Sequence, residues 1–201
     1  MSLRQCLANL ALASWIAAEV VRIVLFASTW VPGLVDIMLI AALVVAVIFV
    51  LARPQPTLQD SSAVTLTVAL AAVVCPLLYQ LLPAGQESSP SSSAVQGMAV
   101  LFMLGATFSL GRNFSVVPQY RWLVHAGPYM LVRHPMYAGY LVFDAAHAFE
   151  HASSLALAIW LSELALLDWR ARREEALLAC ADQGYLEYML QVRWRFFPHL
   201  I

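Results

Sequence analysis

The sequence predicts an all-α integral membrane protein with four transmembrane helices, a C-proximal transmembrane helical hairpin and a cytoplasmic C-terminal helical tail. Three observations lead to this fold class. The 201 residues are 62% hydrophobic and only 11% charged, whereas a soluble domain carries roughly 25% charged residues. The mean hydropathy is +0.75. Long apolar runs also recur along the chain, as expected of a protein that folds in a bilayer.

Four apolar runs approach or reach the roughly 20 residues that a helix needs to cross the hydrocarbon core. They are residues 7–29, 32–52, 63–82 and 94–110. The first is too long for a signal peptide and lacks a clear cleavage site, so we interpret it as a span. The third contains Pro76, which predicts a kink. A further stretch, 136–169, is too long for one span and is interrupted at 149–154 (FEHASS), which predicts two helices in a hairpin.

The arginine positions support this topology. All 11 basic residues are arginine. If the N-terminus is cytoplasmic and the hairpin crosses twice, ten of them lie on the cytoplasmic side, as the positive-inside rule requires. These are Arg4, Arg53, Arg112, Arg121, Arg133, Arg170, Arg172, Arg173, Arg193 and Arg195. Arg22 lies inside the first span, three residues from Glu19, so the two share a helix face and can pair.

Composition also narrows the partners. The net charge of −1 gives no basic field for nucleic acid, so we expect no nucleic-acid partner. The three cysteines, Cys6, Cys75 and Cys180, are far apart and form no CxxC pattern, which favours small hydrophobic residues over a metal site or a disulfide.

Polar side chains gather in two places. One cluster, residues 125–137 (HAGPYMLVRHPMY), precedes the hairpin, and the other, 170–195, follows it. Because a hairpin returns the chain to the side where it started, we expect the clusters to meet at the cytoplasmic interface. Consecutive helix residues point about 100° apart. We therefore expect one of Glu174 and Glu175 to face inward while the other caps or pairs with arginine.

A pocket between these clusters suits a zwitterionic ligand. A carboxylate can hold an ammonium group, and Arg or His can hold a carboxylate. Aromatic faces can hold a sulfonium. These residue types indicate S-adenosylmethionine, although the composition alone also admits other amphiphilic ligands.

The motifs resemble a known family. Residues 125–140 (HAGPYMLVRHPMYAGY), 172–178 (RREEALL) and 184–198 (GYLEYMLQVRWRFFP) resemble the isoprenylcysteine carboxyl methyltransferase family. More broadly, they are similar to membrane methyltransferases that include phospholipid N-methyltransferases. Residues 104–118 (LGATFSLGRNFSVVP) look like the bacterial members. The resemblance covers 104–198 and implies two parts of one structural unit, N-terminal spans at 1–92 and a methyltransferase core at 93–201.

The resemblance implies that S-adenosylmethionine binds from the cytoplasm, with S-adenosylhomocysteine as the product. It nominates as cofactor-binding residues His125, Gly127, Tyr129, Arg133, His134, Pro135, Tyr137, Glu174, Glu175 and Arg193. Within this set, Glu174 or Glu175 would hold the ammonium group, and His134, Arg133 or Arg193 the carboxylate. Tyr137 would shape the pocket near the methyl group. As catalytic residues we expect Arg195, Glu175 and Tyr137, with Arg195 orienting an anionic acceptor. No metal is expected.

A lipophilic acceptor would enter sideways from the bilayer, among membrane lipids. Gln191 stands where the prenylcysteine-specific enzymes usually carry an Arg before a Val, so the acceptor stays open between isoprenylcysteine-like carboxylates, amine-headed phospholipids and thiols. A membrane NADPH-dependent reductase of the sterol-reductase type and a non-enzymatic membrane protein are the rival classes. Arginine-only composition and motif style suggest the inner membrane of a bacterium. The oligomeric state stays open.

Three further polar residues, Asp144, His147 and His151, share a helix face at spacings of three and four. That spacing is compatible with a metal. Because they lie toward the far end of the hairpin, we favour a polar contact between helices, with Glu150 and Glu19 as partners. Asp144 could instead line the route of the acceptor, since ionisable groups inside a membrane usually face the bundle interior or a cavity.

Overall fold

The computed structural model describes residues 33–60, 62–82, 89–115 and 117–200. Six α-helices form most of this part: α1 Leu34–Ala52, α2 Ala63–Val74, α3 Pro90–Leu110, α4 Pro135–His151, α5 Ser154–Ala181 and α6 Gly184–Gln191. Short 3-10 helices lie at Cys75–Leu81, Gly111–Asn113 and Gly127–Met130. Two strands, β1 Leu58–Gln59 and β2 Gln119–Tyr120, complete it. The predicted span at 7–29, with Glu19 and Arg22, lies outside the described residues.

Serine hydroxyls cap three of the helices. Ser62 accepts a hydrogen bond from the backbone N–H of Thr65 at 3.2 Å, and Ser89 accepts one from Ser92 at 3.2 Å. Ser153 does the same at the start of α5. The cap at Ser89, followed by a proline in the first helical position, starts α3 four residues before the predicted 94. The predicted loop is correspondingly shorter.

The predicted kink at Pro76 appears as a change of helix type. Helix α2 ends at Val74 and continues as the 3-10 helix Cys75–Leu81. Proline has no N–H to donate to the preceding turn, so the α-helical hydrogen-bond pattern stops there.

Among the described residues, two helical segments, Leu34–Ala52 and Pro90–Asn113, are long and apolar enough to cross a membrane. The apolar helix Ala63–Tyr79 is shorter. Large apolar side chains on α1 and α3 remain exposed in the folded chain, among them Leu34, Ile48, Leu101 and Phe108. Contiguous exposed apolar surface of this kind marks a face that meets another apolar phase.

The predicted helical hairpin is present as two helices, α4 and α5. The chain reverses at Ala152, whose φ of 45° is left-handed. Trp160 on α5 donates from Nε1 to the carbonyl of Leu141 on α4 at 2.9 Å. Helix α5 then continues past the hairpin to Ala181 and carries both adjacent glutamates. Gly184 is the first residue of α6, and a short interruption of the helical tail lies just before it.

A small antiparallel sheet of two strands, each two residues long, pairs the loop after α1 with the long connection after α3. The sequence did not predict this sheet. Leu58 pairs with Tyr120 and Gln59 with Gln119. Arg121 adds a hydrogen bond from Nε to the carbonyl of Pro54 at 2.9 Å. These contacts hold the connection against the rest of the fold on the side where the polar clusters lie.

Gly139 lets α4 approach α3 closely. A Cβ at this position would collide with the side chain of Met103 and lie 3.4 Å from the carbonyl of Ala99. Close backbone approach at small residues is how helices pack well in lipid. The entrance of α4 is therefore fixed against α3.

We predict that Gly139→Ala lowers stability by about 1–3 kcal/mol, the usual cost of forcing an extra group into a packed interface. Thermal unfolding in detergent measures it. Gly97→Ala is the matched control on α3, because a Cβ added to Gly97 would meet nothing within 4 Å. The control should unfold at the wild-type temperature or higher, since alanine favours helix. Equal behaviour of the two variants would contradict the packing argument.

Candidate active site

The motif RHPMY begins α4 and is held in place by the C-terminal tail. The backbone N–H of Arg133 donates to the carbonyl of Trp194, and that of His134 donates to the carbonyl of Arg195, each at 2.9 Å. Pro135 occupies the first helical position, where its missing N–H costs nothing. The clusters before and after the hairpin therefore meet, as predicted.

Glu175 is the centre of a buried ion-pair cluster. Its Oε1 accepts from Nε of Arg133 at 2.8 Å, and its two oxygens accept from Nε and NH2 of Arg195 at 3.1 and 2.9 Å. Nε2 of His134 lies 3.3 Å from Oε1. Arg195 also donates to Oδ1 of Asp168 at 2.7 Å. These groups join α5, the start of α4 and the tail.

The charges around Glu175 decide its protonation. Burial by itself would raise the pKa of this carboxyl, but His134, Arg195 and Arg133 at its oxygens hold the pKa well below the ordinary value of 4.5. Glu175 is therefore ionised at neutral pH, with its oxygens occupied by the chain's own cations.

Glu174 faces a different environment. Its Oε2 accepts from the hydroxyl of Tyr137 at 2.9 Å and lies 3.9 Å from Nδ1 of His134. Its side chain is 28% exposed, against 8% for Glu175. Both glutamates contact RHPMY, although we expected only one to face inward. This is because Arg133 precedes α4 while Tyr137 lies on its first turn, so the motif offers partners in two directions.

A polar pocket of about 80 Å³ opens beside these residues. Five nominated residues line it: Tyr129, Arg133, His134, Tyr137 and Glu174. The rest of the lining is Leu110, Asn113, Ser115, Gln119, Trp122, Leu123, Val124, Met136, Leu178, Tyr185 and Tyr188. The lining residues between 110 and 124 were not identified from the sequence, because no motif in that connection distinguishes individual side chains. The hydroxyl of Tyr188 donates to the carbonyl of Tyr129 at 2.7 Å, which fixes these two lining residues relative to each other.

A larger apolar cavity of about 320 Å³ lies behind the polar pocket, among α1–α5. Its walls are mainly aliphatic and aromatic, including Leu43, Leu77, Phe114 and Phe143. Three residues line both spaces: Ser115, Met136 and Tyr137. The two spaces therefore share one thin wall, and Tyr137 is its aromatic part.

Arg170 lines the apolar cavity at this wall. Its guanidinium carbon lies 5.1 Å from the centre of the Tyr137 ring, and NH2 donates to the carbonyl of Ser115 at 3.4 Å. Its Nε is buried and has no hydrogen-bond partner among the described residues. The sequence favours an interface anchor at Arg170. The α5 register places it in the cavity instead, four residues before Glu174.

The remaining nominated residues do not line the polar pocket. His125 is exposed, and Gly127, with a φ of 61°, packs where a Cβ would meet Ser109. Arg193 is exposed and contributes its carbonyl to NH1 of Arg133. Pro135 supports the start of α4, and Glu175 and Arg195 belong to the ion-pair cluster. Ligand contacts by these residues stay predictions.

The spacing of Asp144, His147 and His151 produces no gathered ligand set. Asp144 is directed to Glu163 on α5, whereas Nδ1 of His147 lies 3.5 Å from Glu150. Both histidine rings contact the ring of Tyr79. Within the described ranges, no three His, Cys, Asp or Glu side chains are grouped as a metal site. The contact of His147 with Glu150 lies within α4 and is not the predicted contact between helices; Glu19 lies outside the described residues.

A helical chain whose polar pocket and apolar cavity share a wall can bring a polar ligand to a lipophilic one. Residues 94–180 match the model of the Isoprenylcysteine carboxyl methyltransferase (ICMT) family. The resemblance is thus confirmed over this stretch, which supports a methyltransferase of the isoprenylcysteine carboxyl methyltransferase kind. A comparison with curated proteins found no match.

We predict that Glu175→Gln destabilises the protein by about 3–5 kcal/mol at pH 7, because two arginines lose a buried counter-charge. A carboxyl whose folded pKa is lowered stabilises above its unfolded pKa, here 4.5, and this stabilisation is lost as the pH falls below that value. The gap in thermal midpoint between wild type and variant should therefore be large at pH 7 and shrink below about pH 4.5.

The control is Glu187→Gln, which removes an exposed carboxylate on α6. It should follow the wild-type profile within experimental error. A Glu175→Gln variant as stable as wild type at pH 7 would contradict a structural role for the cluster.

Proposed function

We propose that the protein is an integral membrane enzyme that transfers a methyl group from S-adenosylmethionine in the polar pocket to a lipophilic acceptor in the apolar cavity. The observation that carries the proposal is the wall common to both spaces, formed by Ser115, Met136 and Tyr137. Methyl transfer requires donor and acceptor atoms at van der Waals distance in line. Ligands in the two spaces come closest at this boundary, and transfer requires its side chains to leave an opening between them.

The residues of the polar pocket fit S-adenosylmethionine. Glu174 is a partly exposed carboxylate on the pocket surface and suits the ammonium group. The pocket is lined by four tyrosines and Trp122, whose faces suit adenine and a sulfonium. When bound, S-adenosylmethionine supplies an electrophilic methyl group, and S-adenosylhomocysteine is the product.

The chain's own contribution is positioning and exclusion of water. Tyr137 is buried and held by Glu174 on one side and by the Arg170 cation on the other. Glu175 fixes Arg133 at the pocket edge and ties the tail across it. We therefore assign ligand contact to Glu174, and positioning to Glu175 and Arg195.

Arg170 suits an anionic acceptor. It carries a buried positive charge at the boundary of the apolar cavity, and its Nε has no partner among the described residues. A carboxylate or thiolate drawn to it would lie beside Tyr137, at the shared wall. This supports an isoprenylcysteine-like carboxylate or a thiol rather than the amine of a phospholipid as the methylated group, and the role moves from Arg195 to Arg170.

The proposed topology places both chain ends and the polar pocket on the cytoplasmic side of a bacterial inner membrane. Exposed apolar side chains on α1 and α3 support insertion in lipid. The ion-pair cluster lies beyond the hairpin, at its basic end, which the positive-inside rule assigns to the cytoplasm. The match over 94–180 favours methyl transfer over the NADPH-dependent reductase.

We predict that purified wild-type protein in detergent binds S-adenosylhomocysteine, and that Glu174→Gln weakens this binding about tenfold or more. Loss of a charge-assisted hydrogen bond to the ammonium group costs about 1.5–3 kcal/mol. Calorimetry measures the affinity. NADPH, in a parallel titration, should not bind.

Glu187→Gln is the matched control and should keep the wild-type affinity. If Glu174→Gln bound S-adenosylhomocysteine as tightly as wild type does, the contact assigned to Glu174 would be wrong. Binding of NADPH instead of S-adenosylhomocysteine by the wild type would overturn the proposed function.

We predict that Arg170→Gln lowers methyl transfer to N-acetyl-S-farnesylcysteine at least about tenfold while leaving the affinity for S-adenosylhomocysteine unchanged. Transfer is followed with radiolabelled S-adenosylmethionine. Arg172→Gln, on the exposed face of α5, is the control. Equal transfer by the two variants would show that Arg170 does not bind the acceptor.

A further inference from the structure

The apolar cavity contains a second polar feature, away from the shared wall. Asp144 on α4 and Glu163 on α5 are both almost completely buried, at 6% and 1% exposure, and both line the cavity. Their carboxyl groups lie within reach of a hydrogen bond to each other. Such a bond needs one proton, because an ionised carboxylate can only accept.

The pair is not satisfied by the protein. Oε2 of Glu163 is buried and has no hydrogen-bond partner within the described part of the chain. Leaving a buried polar oxygen unpaired costs about 1–3 kcal/mol. The acid pair therefore presents free acceptor capacity to the cavity.

The position of the pair relative to the shared wall is set by helix geometry. Asp144 follows Tyr137 by seven residues on α4, and Glu163 precedes Arg170 by seven residues on α5. At a rise of 1.5 Å per residue, both offsets are about 10 Å along the helix axes. The acid pair thus lies about 10 Å deeper in the cavity than the Tyr137–Arg170 level.

We propose that Asp144 and Glu163 form a subsite for a hydrogen-bond-donating group of the acceptor, a hydroxyl or an amine, about 10 Å from the atom that is methylated. This deepens the proposed function and rests on it. The acceptor is then an amphiphile with two polar points: an anionic group at Arg170 and a donor at the acid pair. A purely hydrocarbon tail would leave Oε2 of Glu163 unpaired when it fills the cavity.

The test compares two probes that differ in one donor, 1-dodecanol and dodecyl methyl ether. Their affinities for the protein in detergent are measured from probe-dependent shifts in thermal unfolding. Wild type should bind the alcohol about threefold to tenfold more tightly than the ether, which is the range expected for one hydrogen bond. For the same reason, dodecylamine should bind more tightly than dodecyltrimethylammonium, which has no N–H to donate.

The variant is Glu163→Leu, which fills the same space without an acceptor. It should bind alcohol and ether equally, and Asp144→Asn is a second variant if the leucine variant does not fold. Glu150→Gln is the matched control, a hairpin carboxylate that does not line the cavity, and it should keep the preference for the alcohol.

Equal binding of alcohol and ether by the wild type would overturn the subsite, and so would a preference that survives in Glu163→Leu. Binding of S-adenosylhomocysteine is measured on the same samples. If the wild type does not bind it, the proposed function fails, whereas the alcohol–ether comparison still decides whether the subsite exists.

Discussion

The contacts of Glu175 are the interaction on which the candidate site depends. This one carboxylate draws together Arg133 at the start of α4, Arg195 in the tail and its own helix α5. Two backbone hydrogen bonds run beside it, from the segment before α4 to the tail. Burying an ion is expensive unless it is paired and hydrogen-bonded, so these pairings stabilise the arrangement in which α5, the start of α4 and the tail meet. Its geometry fixes where Tyr137 and Glu174 stand.

Two separate spaces, the polar pocket and the apolar cavity, lie near this cluster. The polar pocket takes its lining from the long connection after α3, from the first turn of α4 and from α6. The apolar cavity is enclosed by the hairpin and the preceding helices. Tyr137 belongs to both because its hydroxyl meets Glu174 while its ring meets Arg170. A residue with an aromatic body and a polar tip can form such a wall, whereas a purely apolar or purely charged side chain would favour one space only.

The polar residues inside the cavity lie at two different depths. Arg170 lies at the shared wall, and the Asp144–Glu163 pair lies deeper. Opposite polarity at two depths in an apolar space discriminates between lipophilic ligands by the placement of their polar groups. An unmatched buried polar group is costly, and a matched one is rewarded. Under the proposed function, the acceptor is therefore selected by more than hydrophobic volume.

The sequence alone determined the helical class, the hairpin and the meeting of its two flanking polar clusters, because hydropathy, length and arginine placement are properties of the chain itself. It also identified Tyr129, Arg133, His134, Tyr137 and Glu174, which line the polar pocket, since RHPxY and EE are contiguous motifs. Tertiary structure decided the division of labour between Glu174 and Glu175, and it placed Arg170 and Glu163 in the cavity. These depend on the rotation of α5 against α4, and on partners far away in sequence. No local pattern encodes such a rotation, because it is set by packing across helices.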